Sequence, residues 1–502
     1  ATSLNNYTID NLTCWATITD VNEEDIYANY TLYWNDTVNQ TGQSGPFTQN
    51  TLVHVTNVSS VNTTKDDNWT CEVQAYDGTS YETDWNNDST LIIQNSPPDQ
   101  ATPTINSSSA TNYTSENITV FNVSTADNDS DSIKNIFDWR LNGSSFALLN
   151  MPFEDNNNTD SGTKDYSMYS KDGTVTGAIW NSTGGYDGQG AYQYDGGDYI
   201  TIPNSGQFNF GTQGDFTTTF WYKANQTSVT NRVMSTTDIT PAGGWFMDIG
   251  SDKLRFYTRL ATTYGAVMTN AVSGIDNWHH YAVVFDRSGT NQTLMYLDGV
   301  NVSLTFANEE NINDDIDSGI SLQIGKLDTQ AANLGGTLDE FSIFNKSLSA
   351  DQILAIFENR TDLITSDETS VNDNWSACVT PNDGTEDGVE VCSENLTVLL
   401  SNTAPNTISV VLNATDNPNN YTTANLTCWV NITDVDGGNV YANYTLYWNG
   451  TVNLTGQSDA FTQGTLFNIA NVSSVNTTKD DNWTCEVQAY DGIDYETDWN
   501  NA

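Results

Sequence analysis

Basic side chains are scarce in this sequence of 502 residues. Lysine and arginine together number 15 against 64 aspartate and glutamate residues, so the formal net charge is −49. Nucleic-acid binding needs a basic stripe that neutralises phosphates, and docking on an anionic membrane needs a polybasic segment. The composition therefore excludes nucleic acid as a natural partner and argues against docking on an anionic membrane surface.

Long hydrophobic runs are also missing. No stretch approaches the roughly 18 consecutive apolar residues that a membrane-spanning helix requires. The chain opens ATSLNNYTID, without a basic segment followed by an apolar one. We therefore expect no membrane insertion in this segment, and either a removed signal peptide or an internal piece of a longer protein.

Catalytic motifs are rare as well. The sequence has three histidines, His54, His279 and His280. It has no CxxC pair for zinc, no Gly-x-Ser-x-Gly elbow and no phosphate loop. Asp339–Glu340 is the nearest candidate for paired glycosidase carboxylates, and we interpret it as a structural pair. The sequence therefore predicts a protein that is not an enzyme.

Asn-x-Ser/Thr sequons are abundant, with 34 in the chain. Such sites accept N-linked glycans in exported proteins. An Asn- and Thr-rich composition creates some of them by chance, but their excess favours glycosylation. The candidate glycan sites that we single out are Asn6, Asn11, Asn29, Asn35, Asn57, Asn62, Asn142, Asn181, Asn225, Asn291, Asn301, Asn345, Asn449 and Asn476.

The two ends of the chain repeat each other. Residues 5–87 and 419–501 align without a gap at an offset of 414, and 63 of the 83 positions are identical. A third copy is split, because NYTSENITVFNVSTADNDSDSIKNIFDWRLNG matches the first half of the repeat and NDNWSACVTPNDGTEDG, much later, matches the second half. Loop tips tolerate such insertions. We therefore expect a separate domain inserted into the middle copy.

Each copy consists of short Thr-, Val-, Ile- and aromatic-rich runs divided by Asn, Asp and Gly turns, which is typical of strands. About 90 residues with two cysteines predict an immunoglobulin-like sandwich of two sheets. The fold class is therefore all-β, with tandem Ig-like sandwiches. We name the predicted segments sandwich 1 (1–97), sandwich 2 (98–146 and 361–402), the inserted jelly roll (147–360) and sandwich 3 (403–502).

The six cysteines predict three disulfides. Cys14 and Cys71 map onto Cys428 and Cys485 in the repeat, and each pair would bridge the sheets of its sandwich. In the split copy both aligned positions are apolar, which leaves Cys378 and Cys392 to staple a hairpin across PNDGTEDG. Disulfides indicate an oxidising, extracellular setting.

The phrases DNWTCEVQAYDG and DNWSACVTPNDGTEDG resemble Ig/PKD-like modules of large archaeal cell-surface proteins. The resemblance covers residues 1–147 and 361–502. Those modules are architectural and are commonly strung in tandem, so the resemblance implies an architectural role.

The inserted segment contains GGDYI, TTTFWYKA, WHHYAVVFD, YLDG and LDEFSIFNKSLSADQI in that order. This set resembles the LamG-like, concanavalin A-like jelly-roll family. The resemblance implies two packed antiparallel sheets, a role in carbohydrate binding, adhesion or spacing, and no catalysis. It also implies that Asp198 and Asp339 share a calcium ion at the rim.

Calcium is the cofactor that the acidic loops suggest. Ca²⁺ takes six to eight oxygen ligands from clustered carboxylates and carbonyls. Sandwich 2 carries Asp127, Asp129 and Asp131 at alternate positions, and sandwich 3 carries Asp434 and Asp436 before two glycines. A solvated acidic turn remains the alternative for each loop.

Sugar binding requires aromatic rings that stack on the ligand and polar groups that orient it. Trp180, Trp245, Tyr186 and Tyr264 are expected in loops of the inserted segment. The alternative is that they cover the core.

The organisation suggests a non-enzymatic, glycosylated, extracellular structural protein. Our hypothesis is that copies of the chain form a cell-surface filament head-to-tail, by strand complementation or as a tandem array. An unpaired sheet edge invites such pairing. The alternative is an adhesin whose jelly roll binds glycans.

Overall fold

The computed structural model describes residues 5–502 except 22–24, 89, 123, 155–161, 213, 226–229, 238–242, 251–252, 260–263, 271, 288–291, 308–314, 328–332 and 417–418. Strands dominate these residues, in agreement with the predicted all-β class. None of their helices is long and apolar enough to cross a membrane. Contacts divide the chain into two compact units, one of 1–110, 117–369 and 373–397, the other of 111–116, 370–372 and 398–502.

Sandwich 1 is built from two sheets joined by a disulfide. Its strands are β1 (Leu12–Thr17), β2 (Ile26–Trp34), β3 (Thr37–Phe47), β4 (Leu52–Val58), β5 (Asn68–Tyr76), β6 (Asn86–Asn87) and β7 (Leu91–Ile92). One sheet pairs β1 with β4, and the other has the order β3-β2-β5-β6, with β7 also on β5. Cys14 in β1 bonds to Cys71 in β5, so this bridge crosses between the sheets as predicted.

Sandwich 2 is assembled from strands on both sides of the insertion. The strands before it are β8 (Asp99–Gln100), β9 (Thr104–Ser107), β10 (Ile118–Phe121), β11 (Thr125–Ala126), β12 (Lys134–Leu141) and β13 (Ser144–Ser145).

The jelly roll follows as β14 (Ala147–Met151), β15 (Gly162–Thr163), β16 (Gly173–Thr176), β17 (Ile179–Asn181), β18 (Ala191–Asp195), β19 (Tyr199–Ile202), β20 (Phe216–Ala224), β21 (Asn231–Ser235), β22 (Trp245–Gly250), β23 (Lys253–Arg259), β24 (Tyr264–Thr269), β25 (His279–Asp286), β26 (Gln292–Leu297), β27 (Val300–Asn301), β28 (Leu304–Ala307), β29 (Leu322–Ile324) and β30 (Gly335–Phe344). Helix α1 (Ala350–Phe357) closes it, and the Ser349 hydroxyl caps the helix by accepting from the Gln352 N–H at 3.1 Å.

Sandwich 2 then resumes with β31 (Leu363–Ile364), β32 (Asn374–Asn382), β33 (Val391–Cys392) and β34 (Leu396–Thr397). The late strand β31 pairs with the early strand β10, and β32 pairs with β12 along its length. Cys378 lies opposite Cys392 in the β32–β33 pair, and the two form the predicted hairpin disulfide.

Sandwich 3 contains β35 (Asn406–Ala414), β36 (Leu426–Thr433), β37 (Asn439–Trp448), β38 (Thr451–Gln457), β39 (Phe461–Thr462), β40 (Phe467–Val472), β41 (Trp483–Tyr490) and β42 (Asn500–Asn501). One sheet has the order β35-β36-β40 and the other β38-β37-β41-β42. The predicted Cys428–Cys485 bond joins β36 to β41. Short 3₁₀ turns at Ser60–Asn62, Ser366–Glu368 and Ser474–Asn476 precede the second cysteine strand, or its equivalent, of each copy.

The jelly roll packs two large antiparallel sheets face to face. The nine-stranded sheet has the order β15-β16-β19-β29-β21-β22-β23-β24-β28, and the eight-stranded sheet centres on β18-β30-β20-β25-β26. Alternate side chains point inward because successive residues of a strand face opposite ways. Phe216, Phe220, Trp245, Phe256 and Phe285 are among the rings that fill the core between the sheets.

Candidate functional site

The outer face of the nine-stranded sheet carries the side chains that alternate with its core residues. In β22 and β23, Trp245 and Phe256 point into the core. Phe246 and Asp248 therefore point outward, and they lie opposite Tyr257 and Arg255 in the register of the two strands. An aromatic row and a charged row thus run side by side on this face.

These outward side chains interact closely. The rings of Phe246 and Tyr257 stack with centroids 4.4 Å apart, and the Arg232 guanidinium lies 4.2 Å above the Phe246 ring. Asp248 accepts hydrogen bonds from Arg232 at 2.8 Å and from Arg255. We call Arg232, Phe246, Asp248, Arg255 and Tyr257 the outer-face cluster.

Burial controls the electrostatics of the outer-face cluster. Asp248 is 3% exposed, and burial raises the pKa of its carboxyl although two arginines oppose the shift. Burial also lowers the pKa of the Arg232 guanidinium. The guanidinium groups of both arginines donate to the same buried carboxylate, which fixes their orientations. Their remaining N–H groups are therefore directed donors.

Further polar and aromatic groups continue the outer face. Tyr264 in β24 is 50% exposed, and its ring centroid lies 6.4 Å from that of Tyr257. On the other side of the face, the Thr201 hydroxyl donates to the Gln323 side-chain oxygen at 2.8 Å. Rings beside oriented donors and acceptors are the combination that sugar binding requires.

The other aromatic residues expected in ligand loops are elsewhere. Trp245 lies in a strand and is fully buried, and Trp180 and Tyr264 also lie in strands, so the expected loop position is wrong for these three residues. Trp180 packs against the core and donates from Nε1 to the Phe153 carbonyl at 2.8 Å. The ring of Tyr186 stacks on that of Trp221, with centroids 3.3 Å apart. Of the four aromatic candidates, Tyr264 alone belongs to the outer face. The other three pack against residues that are distant in the sequence, and residue spacing does not show such contacts.

A second cluster lies where β12 of sandwich 2 meets the jelly roll. The Lys134 ammonium donates to Asp187 at 2.6 Å and also to Glu154 and Glu340. Asp339 is fully buried beside them and accepts from the Tyr186 N–H at 2.8 Å. We call Lys134, Glu154, Asp187, Asp339 and Glu340 the acid cluster.

The acid cluster is strongly perturbed. Burial raises the pKa of Glu154 to about 7, against the pull of Lys134, and burial together with Glu340 raises that of Asp339 well above its usual value. The three neighbouring carboxylates hold the pKa of Lys134 well above its usual value. Glu154 is 1% exposed and Asp339 is fully buried. A catalytic pair must reach a substrate, so this geometry favours the structural interpretation of Asp339–Glu340.

The rim calcium implied by the family resemblance does not fit the structure. Asp195 pairs with Gly335 and Tyr192 pairs with Leu338, so Asp339 lies beyond the opposite end of the β18–β30 pairing from Asp198. Asp198 instead accepts from the Asp195 N–H at 2.7 Å. The two carboxylates therefore do not share an ion, and Lys134 supplies the positive charge beside Asp339.

The two acidic segments proposed as calcium loops, around Asp129 and Asp436, lie in loops as expected. The carboxylates of Asp127, Asp129 and Asp131 offer oxygens within 4.8 Å of one another. Asp434 accepts from the Asp436 N–H at 2.8 Å. Calcium at either loop stays a prediction.

The histidines occupy packing positions. His280 is fully buried, and burial lowers its pKa to about 4. His279 pairs through Nδ1 with Asp298 at 2.8 Å. His54 lies against Trp15, with ring centroids 5.2 Å apart.

The candidate glycan asparagines within the described residues are accessible. Asn6, Asn29 and Asn181 are half-buried, and Asn291 lies outside the described residues. The exposed ones are Asn11, Asn35, Asn57, Asn62, Asn142, Asn225, Asn301, Asn345, Asn449 and Asn476. Their accessibility permits glycosylation, and their occupancy stays a prediction.

Residues 194–354 match the Laminin_G_3 family, described as the concanavalin A-like lectin/glucanases superfamily. The match confirms the predicted concanavalin A-like jelly roll for this stretch. The likeness of the flanking sandwiches to archaeal surface modules stays a prediction. No curated protein matches the chain.

Solved structures give distant matches. The binding domain of Paraclostridial Mosquitocidal Protein 1 is 12% identical at a TM-score of 0.35, over 68% of this chain and 74% of that one. Domain 4 of AbnA, an arabinanase from Geobacillus stearothermophilus in complex with arabinotriose, is 15% identical at a TM-score of 0.32, over 42% of this chain and 98% of that one. The Ruminococcus gnavus sialidase CBM40 bound to sialyllactose is 13% identical at a TM-score of 0.28, over 33% of this chain and 96% of that one. At these TM-scores no conclusion about ligands rests on them.

Proposed function

We propose that this chain is a non-enzymatic, extracellular carbohydrate-binding protein, and that its jelly roll binds glycans through the outer-face cluster. The observation that carries the proposal is the half-buried Tyr257 ring, which stacks on the buried Phe246 beside two arginines anchored on Asp248. Sugar C–H faces pack on aromatic rings, while hydroxyl groups bond to directed donors. The concanavalin A-like match at 194–354 supports this use of the fold.

Three observations support the extracellular and non-enzymatic parts of the proposal. The three disulfides fit an oxidising compartment. The acid cluster, which holds the most strongly perturbed carboxylates, is closed around Lys134. The sequons would add glycans to exposed asparagines of the same surface protein.

The proposal is tested by glycan binding with the full chain. We expect saturable binding on a glycan array, with affinity then measured by calorimetry. Tyr264→Ala, which removes an exposed ring from the outer face, should weaken Kd by about tenfold, equivalent to about 1.4 kcal/mol. Arg255→Lys should also weaken binding, because lysine keeps the charge and loses the fork.

Tyr421→Ala is the matched control, since Tyr421 is 64% exposed in sandwich 3. This variant should bind as tightly as the original chain. Absence of saturable glycan binding, or an equal loss in Tyr421→Ala, would overturn the proposal.

A second candidate function, head-to-tail self-association, is favoured by an open groove in sandwich 1. Among the described residues, β1 pairs with β4 alone, whereas its counterpart β36 lies between β35 and β40. A groove of about 920 Å³ runs along β1 and is lined by Leu12, Cys14 and Trp69 among others. Cys428 and Cys485 are fully buried, while Cys14 and Cys71 are half-buried.

Strand addition from another copy would fill this groove. In sandwich 3, Val410 and Leu412 of β35 lie opposite Val430 and Cys428. A strand of this type would supply the same apolar contacts to β1 and complete the sheet. Copies of the chain are therefore the proposed partner in this second function.

A peptide of residues 406–414 tests the groove directly. We expect it to protect the backbone amides of β1 from hydrogen exchange in the full chain. The same peptide with Val410→Asp should give no protection, because a charge would enter the apolar groove. Equal protection by both peptides, or by neither, would refute the strand-accepting groove.

A further inference from the structure

The linker that follows sandwich 1 is bound by two acidic loops of sandwich 2. The Asn95 side chain is 7% exposed, and its Nδ2 donates to Asp383 Oδ2 at 2.6 Å. The next backbone N–H, of Ser96, donates to Asp129 Oδ2 at 2.6 Å. Asp129 belongs to the loop after β11, and Asp383 follows β32.

Negative charge exceeds positive charge at this linker. Asp127 and Asp131 join Asp129 with carboxylate oxygens within 4.8 Å of one another. Burial and the charges of Asp129 and Asp383 raise the pKa of Asp127. Lys65 donates to Asp131 at 3.0 Å, and its ammonium also interacts electrostatically with Asp129 and Asp383.

Two buried oxygens at the same place have no hydrogen-bond partner among the described residues. They are Asn95 Oδ1 and Asp127 Oδ2. A buried oxygen left unpaired destabilises the fold. Asn95 belongs to the same cluster, because its Nδ2 donates to Asp383 and the Ser96 N–H that follows it donates to Asp129.

We propose that Asn95, Asp127, Asp129, Asp131 and Asp383 form a calcium site that fixes the linker to sandwich 2. Ca²⁺ takes six to eight oxygens in flexible geometry, and carboxylates, amide oxygens and water all serve. The ion pairs with both unpaired oxygens and neutralises carboxylate charge that Lys65 alone does not balance. Because one ligand is the linker residue Asn95, the ion would connect the linker to the two acidic loops of sandwich 2.

The same arrangement recurs at the next linker, within the second compact unit. Asn402 Nδ2 donates to Asp491 and Asp494 at 2.9 Å each, and the Thr403 N–H donates to Asp436. An Asn-Ser/Thr pair thus meets one acidic loop through its side chain and another through its backbone in both places. This recurrence is independent of the unpaired oxygens and supports a shared role.

Calcium titration of the full chain tests the proposal. We expect calorimetry to show a site with Kd on the order of 10⁻⁴ M, the range of extracellular modules. Asp127→Asn removes a charged ligand and should weaken this Kd by about tenfold or more. Asn95→Ala should weaken it as well, which a merely electrostatic attraction of ions would not require.

The control is Asp276→Asn, which makes the same charge change at an exposed turn of the jelly roll. It should leave the Kd unchanged. The proposal fails if Asn95→Ala and Asp127→Asn bind calcium as the original chain does. It also fails if sodium chloride at equal ionic strength raises Tm as much as calcium chloride, since screening alone would then explain the effect.

Discussion

Replacing Lys134 by methionine should destabilise the jelly roll strongly. The ammonium lies among Glu154, Asp187 and Glu340, and it is the cation that the described structure gives them. Removing one partner from a buried charge group costs about 3–5 kcal/mol, because the remaining charges stay buried without compensation. For a domain of this size we expect the Tm of the corresponding transition to fall by about 10 °C.

Methionine keeps most of the apolar volume of lysine, so the loss of charge dominates this comparison. Lys223→Met is the matched control, since Lys223 is exposed on β20, and its Tm should change little. Adding Glu340→Gln to Lys134→Met should recover part of the loss by removing one uncompensated carboxylate. A Tm in Lys134→Met equal to that in Lys223→Met would show that Lys134 does not stabilise the acid cluster.

The fold was largely predictable because its signals are local or repeated. Alternation in TTTFWYKA identified β20, and the 414-residue offset placed the same cysteine strands at both ends of the chain. The change of both aligned cysteines in the split copy left Cys378 to pair with Cys392. Each of these inferences required residue spacing only.

The candidate sites were harder because they depend on contacts that spacing cannot show. Lys134 lies in the acidic stretch NDSDSIKN, yet its partner Glu340 is 206 residues away. Asp198 was associated with Asp339 by resemblance, although register places them at opposite ends of a strand pair. The outer-face cluster had a local signal, since Asp248 is the charged residue of the apolar strand β22 and Arg255 lies between Leu254 and Phe256 in β23.

The stability of the jelly roll should fall as pH rises from about 4.5 to about 7, because of Glu154. Burial raises the pKa of this carboxyl to about 7 in the folded chain, from its usual value of 4.5. Between these values the folded state holds a proton that the unfolded state has released, so raising the pH favours unfolding. At about 1.4 kcal/mol per pKa unit, this group contributes about 3 kcal/mol less stability at pH 8 than at pH 4.

The net charge of −49 gives the whole chain a pH dependence of the same direction, so the variant Glu154→Gln is needed to isolate the group. Glutamine still accepts from the Gly190 N–H that Glu154 Oε2 binds at 2.7 Å, and it does not titrate. Melting curves at pH 4 to 8 should therefore show a shallower loss of Tm for Glu154→Gln than for the original chain, with the difference in slope confined to pH 4.5–7. Parallel curves would mean that Lys134 keeps Glu154 ionised throughout, and the acid cluster would then act as a permanent ion group rather than one that exchanges a proton near neutral pH.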